Sequence, residues 1–314
     1  MHRFTLTARG PFSLAASTRF LEGFTPAAFR APPDRPLELT FPAEGTWQTV
    51  GVQLWQHGDQ IIGEVVSAAA LDGDVLAAVR LQVERILSLD VDGAAFPGVG
   101  ERDPVVADLQ RRYPGLRPVG FWSPYEAAAW AVIGHRIRIR QAATLKARMA
   151  EQLGEAVAFG PRMLHAFPAP GRLVELERFP GLSGRKPEWL RAVARAALGG
   201  RLDAARLRAL PRDEALAGLT QVPGIGDFSA ELVLLRGAAA PDHVPTHETR
   251  LARAVEHAYG LPRPPSAEQL LRMSQRWVPY RTWVTLLLRA RLEDDTGEIA
   301  GVRPSSRKTA DPPG

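Results

Sequence analysis

Near the N-terminus, apolar and polar positions alternate with a period of two. Phe4-Thr5-Leu6-Thr7, Leu37-Glu38-Leu39-Thr40-Phe41 and Val50-Gly51-Val52-Gln53-Leu54 each read as strands. Gly58-Asp59 marks a turn before a fourth run, Ile61 to Val66. Such runs predict an antiparallel sheet with one wet face. The period then lengthens. Val75, Val79, Leu81, Val83, Ile86 and Leu87 form an apolar stripe, predicting a helix from about Leu71 to Leu87. Gly93 to Asp103 is rich in Gly and Pro and reads as a boundary.

Beyond it strand signals nearly vanish. Ser123-Pro124-Tyr125-Glu126 has the form of an N-cap followed by Pro and predicts one long helix to about Leu153. Further helices are predicted from Lys186 to Gly199, Asp213 to Leu219, Ser229 to Arg236, Arg250 to Tyr259, Ser266 to Arg276 and Tyr280 to Leu292. The expected class is α+β, with an N-terminal antiparallel sheet domain over residues 1–98 and an all-α domain over 99–292. Residues 293–314 are polar and Pro-containing and are expected to be a disordered tail.

Composition narrows the chemistry. The 314 residues include no cysteine, which removes thiol nucleophiles, disulfides and cysteine-held metal centres. No apolar run is long enough for a transmembrane helix, and the alternating N-terminus does not resemble a signal peptide. A soluble, cytoplasmic and nucleoid-associated monomer with no membrane partner is the expectation. The net charge of +5 is carried mostly by arginine, with Lys146, Lys186 and Lys308 the only lysines. Such a balance favours a polyanionic partner, nucleic acid ahead of membrane.

The stretch Leu219-Thr220-Gln221-Val222-Pro223-Gly224-Ile225-Gly226-Asp227-Phe228-Ser229-Ala230 joins two predicted helices through Pro-Gly-Ile-Gly. Two glycines around a β-branched residue permit positive φ and expose backbone amides, and the next helix begins at once, so its free N–H groups face the same way. That is a phosphate cradle requiring no side-chain charge. From the spacing alone, the alternative is an ordinary tight helix–helix turn.

Val222-Pro223-Gly224-Ile225-Gly226 with Ser229-Ala230 resembles the helix-hairpin-helix of the DNA base-excision glycosylases, the DNA-3-methyladenine glycosylase II branch above all. The similarity runs from the N-terminal α+β domain through the hairpin to Trp277-Val278-Pro279-Tyr280-Arg281-Thr282-Trp283. It implies hydrolysis of the N-glycosidic bond of a damaged base flipped out of double-stranded DNA. It implies phosphate binding by Gly224, Gly226 and Ser229, and no required cofactor beyond a structural Na+ or K+ on the carbonyls of Thr220, Val222 and Gly224. Where a subset of the superfamily carries a Schiff-base lysine, this chain has Phe228, so lyase activity is not expected.

Three departures from the family pattern stand out. The family's catalytic aspartate aligns with Glu248, one methylene longer, which reads either as the catalytic acid or as a helix N-terminal acid complementing the dipole. After Gly134, where the family places glutamine and an apolar wedge, stand His135 and Arg136, candidates for the gap left by the flipped nucleotide; the alternatives are a satisfied helix-face histidine for His135 and, for Arg136, Arg138 and Arg140, a solvated basic face. The base pocket, usually aromatic, maps to Phe228, Leu232, Thr249 and Arg289. Arg289 would repel a cationic alkylated base, so if it lines the pocket a neutral or acceptor-rich base fits better than 3-methyladenine; otherwise it is a surface arginine.

Asp242, His243, His247 and Glu248 could be drawn as metal ligands, but Pro245 interrupts any helical pairing of the histidines. Trp122, Trp130, Trp277 and Trp283 are expected in cores. The leading expectation is a monofunctional DNA glycosylase with altered lesion preference. The alternative is a damaged-DNA-binding protein that kept the fold without efficient cleavage.

Overall fold

The computed structural model describes residues 2–23 and 36–297. Lys308 and the expected disordered tail after residue 297 lie outside the described residues. The four N-terminal strands form as their alternation predicts: β1 (His2–Thr7), β2 (Leu37–Pro42), β3 (Thr49–His57) and β4 (Gln60–Val66). They make an antiparallel sheet in the order β1-β4-β3-β2, with helix α1 (Leu14–Gly23) between the first two in sequence. Helix α2 (Gly73–Ile86) is capped by Asp72, whose carboxylate accepts the Val75 amide at 2.8 Å. Its stripe of Val75, Val79, Val83 and Ile86 packs with Leu39, Val52, Leu54 and Ile61 in one apolar cluster.

The other face of the sheet is not wet throughout, which corrects the sequence expectation. Every residue of β2 is buried. A short hairpin, β5 (Ala156–Phe159) and β6 (Arg162–His165), lies against β3, with Val157 and Phe159 filling the space that Gly51 leaves. Glu38 on this face pairs with Arg162 and accepts from Gln53 Nε2 at 3.0 Å, so the polar alternation survives as a buried network instead of a solvated surface.

The boundary stretch is itself partly helical, with α3 (Pro97–Arg102) and α4 (Pro104–Arg112). These pack in one cluster with α12 (Thr249–Tyr259), α13 (Ala267–Met273), the 3-10 turn Ser274–Trp277 and α14 (Arg281–Thr296). Helix α14 therefore runs four residues past the predicted end of the helical region. A second helical cluster joins α5 (Pro124–Gly134), α6 (Ile139–Leu153), α7 (Pro170–Leu173), α8 (Lys186–Leu198), α9 (Ala204–Ala209), α10 (Arg212–Thr220) and α11 (Asp227–Leu232), the last continuing through a π turn at Val233–Gly237. Trp122, Trp130, Trp277 and Trp283 are all buried, as expected.

Loops flanking the sheet and α2 meet α14 on Arg117. Its buried guanidinium donates to the carbonyls of Pro11 at 2.9 Å, Ser88 at 3.0 Å and Val91 at 3.2 Å, and lies 5.0 Å from the Trp283 ring. Burial lowers its pKa to about 10, and the carbonyl lone pairs replace the water it has lost.

The predicted single helix from Ser123 to about Leu153 is two. Ser123 caps α5 as expected, accepting the Glu126 amide at 3.1 Å. The helix ends at Gly134, because the Ile133 carbonyl that would accept the Ile137 amide instead accepts from Lys186 Nζ at 2.9 Å. His135 turns to ψ 120, Arg136 sits at φ 56, and α6 starts afresh at Ile139. A buried ion pair, Lys146 Nζ to Glu126 Oε1 at 2.6 Å, ties the two halves together.

Candidate nucleic-acid interface and active site

The hairpin forms between α10 and α11. Val222 and Ile225 are buried and anchor the turn, which closes through Val222 N to Leu219 O and Ile225 N to Val222 O, both 3.0 Å. Gly224 takes φ 90, and a β-carbon there would lie 2.8 Å from Cγ of Trp189 on α8. Only glycine meets both demands. Gly226 is the N-cap of α11, exposed, with no side-chain cap, so the first amides of this helix are left for an external acceptor. Ser229 is half-buried in that first turn. Asp227, exposed at the first helical position, sets a carboxylate at the rim and weakens the local attraction for an anion.

One turn into α11, the sequence reading passed over Glu231. Its carboxylate is 3% exposed and accepts Thr246 N at 3.0 Å, Thr246 Oγ1 at 2.9 Å, His247 N at 3.0 Å and Arg212 Nη2 at 2.8 Å. His247 Nδ1 lies 3.3 Å away. Burial alone would push the Glu231 pKa up, but the Thr246 and His247 donors outweigh it and hold the group below the usual carboxylate range. The other end of the same loop is pinned to α14. Asp242 takes Arg281 in a bidentate pair at 2.8 and 2.9 Å, and Thr282 Oγ1 donates to the carbonyls of Ala240 and His243.

The loop so fastened delivers Glu248 as the N-cap residue of α12, at φ −103 and ψ 98. Its side chain makes no capping bond to the helix. Instead Oε1 meets Arg289 Nη1 of α14 at 2.7 Å, with 13% of the Glu248 side chain and 27% of the Arg289 side chain exposed. Arg289 is thus turned inward onto the acid and is not a free surface arginine. A third charge stands close by. Arg236 donates to the Val119 carbonyl at 2.8 Å, and burial, then the charge of Arg289, bring its pKa down to about 9 against the pull of Glu248.

The pocket candidates divide. Phe228 and Leu232 are four residues apart on α11 and share a face. Leu232 packs partly on the helical cluster, while Phe228 is 51% exposed and Thr249 is also exposed, so neither of these two lines an enclosed cavity. His135 and Arg136 lie in the α5–α6 loop, both exposed, and not on a helix face as expected. The His135 ring is 5.6 Å from Trp189, edge to face at 74°.

The drawn metal constellation does not assemble. Asp242 is spent on Arg281, His247 on Glu231 and Glu248 on Arg289. Burial and the charges of Arg212 and Arg281 lower the His243 pKa. Among the described residues, no group of three or more His, Asp or Glu could hold a metal ion.

No family model matches the chain. A Bacillus subtilis protein named DNA-3-methyladenine glycosylase is 26% identical over 204 residues, 64% of this chain and 67% of that protein. DNA-3-methyladenine glycosylase 2 of Escherichia coli is 30% identical over 179 residues, 55% of this chain; the match spans 59% of that relative's length. A solved 3-methyladenine DNA-glycosylase from Archaeoglobus fulgidus shares the fold, with a TM-score of 0.75 and 22% identity, covering 94% of this chain and 99% of that one. This chain is thus similar in sequence to proteins named DNA-3-methyladenine glycosylase and shares the fold of the solved helix-hairpin-helix glycosylases.

Proposed function

We propose that the chain is a monofunctional DNA glycosylase that hydrolyses the N-glycosidic bond of a damaged base flipped from double-stranded DNA, with a lesion preference shifted away from cationic bases. The observation that carries this reading is Glu231. A residue of the helix that opens at the phosphate cradle holds the two amides immediately before Glu248, so grip and acid are fixed to one another.

In the reaction, the C1′–N bond breaks with the electron pair leaving on the base, and the sugar gains oxocarbenium character. The Glu248 carboxylate stabilises that charge and takes a proton from the water whose oxygen bonds to C1′. The departing base takes up a proton, so water is the only other reactant. For Glu248 to do this, Arg289 must share it or swing aside, and the guanidinium is then aimed at the base. A planar cation with paired donors suits a neutral purine presenting two adjacent acceptors, and it repels an alkylated base that already carries positive charge.

The backbone fits the monovalent cation implied by the family. Neutral carbonyl oxygens suit Na+ or K+ better than softer metals, and the Val222 carbonyl, though it accepts Ile225 N, retains a second lone pair. Thr220, Val222 and Gly224 would hold it, and it would supply positive charge beside the bound phosphate. No helix among the described residues is long and apolar enough to cross a membrane. We read the chain as acting as a monomer within the cell.

The test is release of alkylated, deaminated and oxidised bases from defined duplexes, read as alkali-sensitive strand breaks. Wild-type protein is expected to favour neutral purines, and Arg289→Ala to move the ratio of 7-methylguanine to hypoxanthine release upward by about tenfold or more, the size of one paired hydrogen-bond contact. An unchanged ratio removes Arg289 from base selection. The grip is tested by Gly224→Ala, which forces a β-carbon onto Trp189 at positive φ and is expected to cost about 1–3 kcal/mol of stability. The same variant should flatten the log–log salt dependence of duplex binding by about 0.9, one lost phosphate contact. A salt slope equal to wild type would detach the hairpin from phosphate binding.

A second reading is favoured by the closed Glu248–Arg289 pair, which leaves the acid mostly covered. In that reading the chain recognises damaged DNA and releases no base. Tight lesion binding with no release across the whole panel would establish it.

A further inference from the structure

Two parts of the proposed DNA surface, the phosphate cradle and the α5–α6 loop, come from segments about ninety residues apart in sequence, and one side chain touches both. We propose that Trp189 is a positioning residue that couples the hairpin's hold on the phosphate to the stance of the His135–Arg136 loop in the opened stack. The inference rests on the DNA-glycosylase reading given above.

Helix α8 enters between the two parts. Its first residue, Lys186, donates Nζ to the Ile133 carbonyl at the end of α5 and is itself buried. One turn further on, the half-buried Trp189 indole fills the space beside Gly224, where a β-carbon would meet its Cγ at 2.8 Å and its Cβ at 2.9 Å. The same ring system lies 5.6 Å from the His135 ring and nearly perpendicular to it, at 74°. Its outer side carries the Arg185 guanidinium 5.8 Å from the ring, and Arg185 is fixed in turn by a bidentate pair with Glu188.

The loop it touches cannot set its own shape. Arg136 is held at φ 56, a left-handed conformation costing a residue with a side chain about 1–2 kcal/mol, so its surroundings must impose it. Lys186 fixes where α5 stops, and Trp189 fixes where the next residue's ring stands. Since the same indole sets how closely the hairpin approaches, a shift of either part must be felt by the other. Without the indole the cradle retains its backbone amides and the loop retains its side chains. What is lost is their spacing, and base flipping depends on pulling the phosphate and filling the gap together.

The experiment compares wild type, Trp189→Leu and Trp189→Phe on a duplex bearing 2-aminopurine next to an abasic analogue. Unstacking is read by fluorescence, affinity for undamaged duplex by anisotropy, and folding by circular dichroism melts. Trp189→Leu is expected to keep affinity for undamaged duplex within about threefold of wild type while losing about fivefold or more of the fluorescence rise. Trp189→Phe, which keeps an aromatic ring beside His135, should recover most of that rise. A full rise in Trp189→Leu overturns the proposal. So does parallel loss of rise and duplex affinity with no recovery in Trp189→Phe, which would mark the indole as a packing residue only. Wild-type protein that binds duplex without any rise also overturns the coupling. Wild-type protein that fails to bind duplex at all sinks the parent reading, and the coupling with it.

Discussion

Glu248→Gln is expected to slow base release by about 10²–10⁴-fold under single-turnover conditions, with duplex affinity near wild type. Glutamine keeps the length of the side chain and can still accept from Arg289, so the loop and α12 have no reason to move. What disappears is the negative charge facing the incipient sugar cation and the basicity needed to take a proton from water. Removing one partner of an ion pair normally leaves the other stranded, but the Arg289 side chain keeps about a quarter of its surface in solvent, which limits that penalty. The measurement is the rate of alkali-sensitive break formation at saturating protein, beside anisotropy on the same duplex. A rate equal to wild type would remove Glu248 from the chemistry. Glu248→Asp adds a geometric check, because it withdraws the carboxylate by one methylene, and misplacement of about 1 Å can itself cost about 10²-fold.

The largest effect on stability is expected at Glu231. Glu231→Ala leaves the Thr246 and His247 amides without their acceptor and removes the buried partner of Arg212, a change that typically costs about 3–5 kcal/mol. Urea or thermal melts measure it directly, and a loss below about 1 kcal/mol would show that water replaces the carboxylate without difficulty. The pH dependence gives an independent reading. The folded-state pKa of Glu231 lies below its unfolded value of 4.5, so the unfolded chain binds this proton more readily. The stabilisation is present in full above the unfolded value and is lost as pH falls through the folded one. Wild type should therefore lose stability on acidification through this window, and Glu231→Gln should show a flatter profile there. Identical profiles would mean that the carboxylate is not held below its ordinary range.

Much of this arrangement could be read from the chain, for reasons that differ by element. Strands β1 to β3 announced themselves by alternation, β4 by the turn at Gly58-Asp59 before an apolar run, and the hairpin by two glycines around Ile225 between helical segments. Glu248 was reached only through the family resemblance, as the residue that aligns with the family's aspartate beyond that turn. The break after Gly134 escaped because it is tertiary in origin. Nothing near Ile133 says that Lys186, fifty-three residues later, will take its carbonyl, although Gly134 was a usable hint of a helix end. The β5–β6 hairpin was hidden by its length of four residues per strand, yet its Gly160-Pro161 turn was visible. Glu231 and Trp189 gave no local signal at all. Each sits at a position that reads as ordinary helix, and its importance comes from loops that fold back onto it.

The two described lysines have a further consequence. Lys146 is locked to Glu126 and Lys186 is aimed into a helix end, where burial also lowers its pKa. Both amines are occupied by the interior, so amine-directed labels and borohydride trapping find no accessible lysine among the described residues. A fluorophore for single-molecule work can be placed through an added cysteine, which in a chain with none of its own would react at one chosen site.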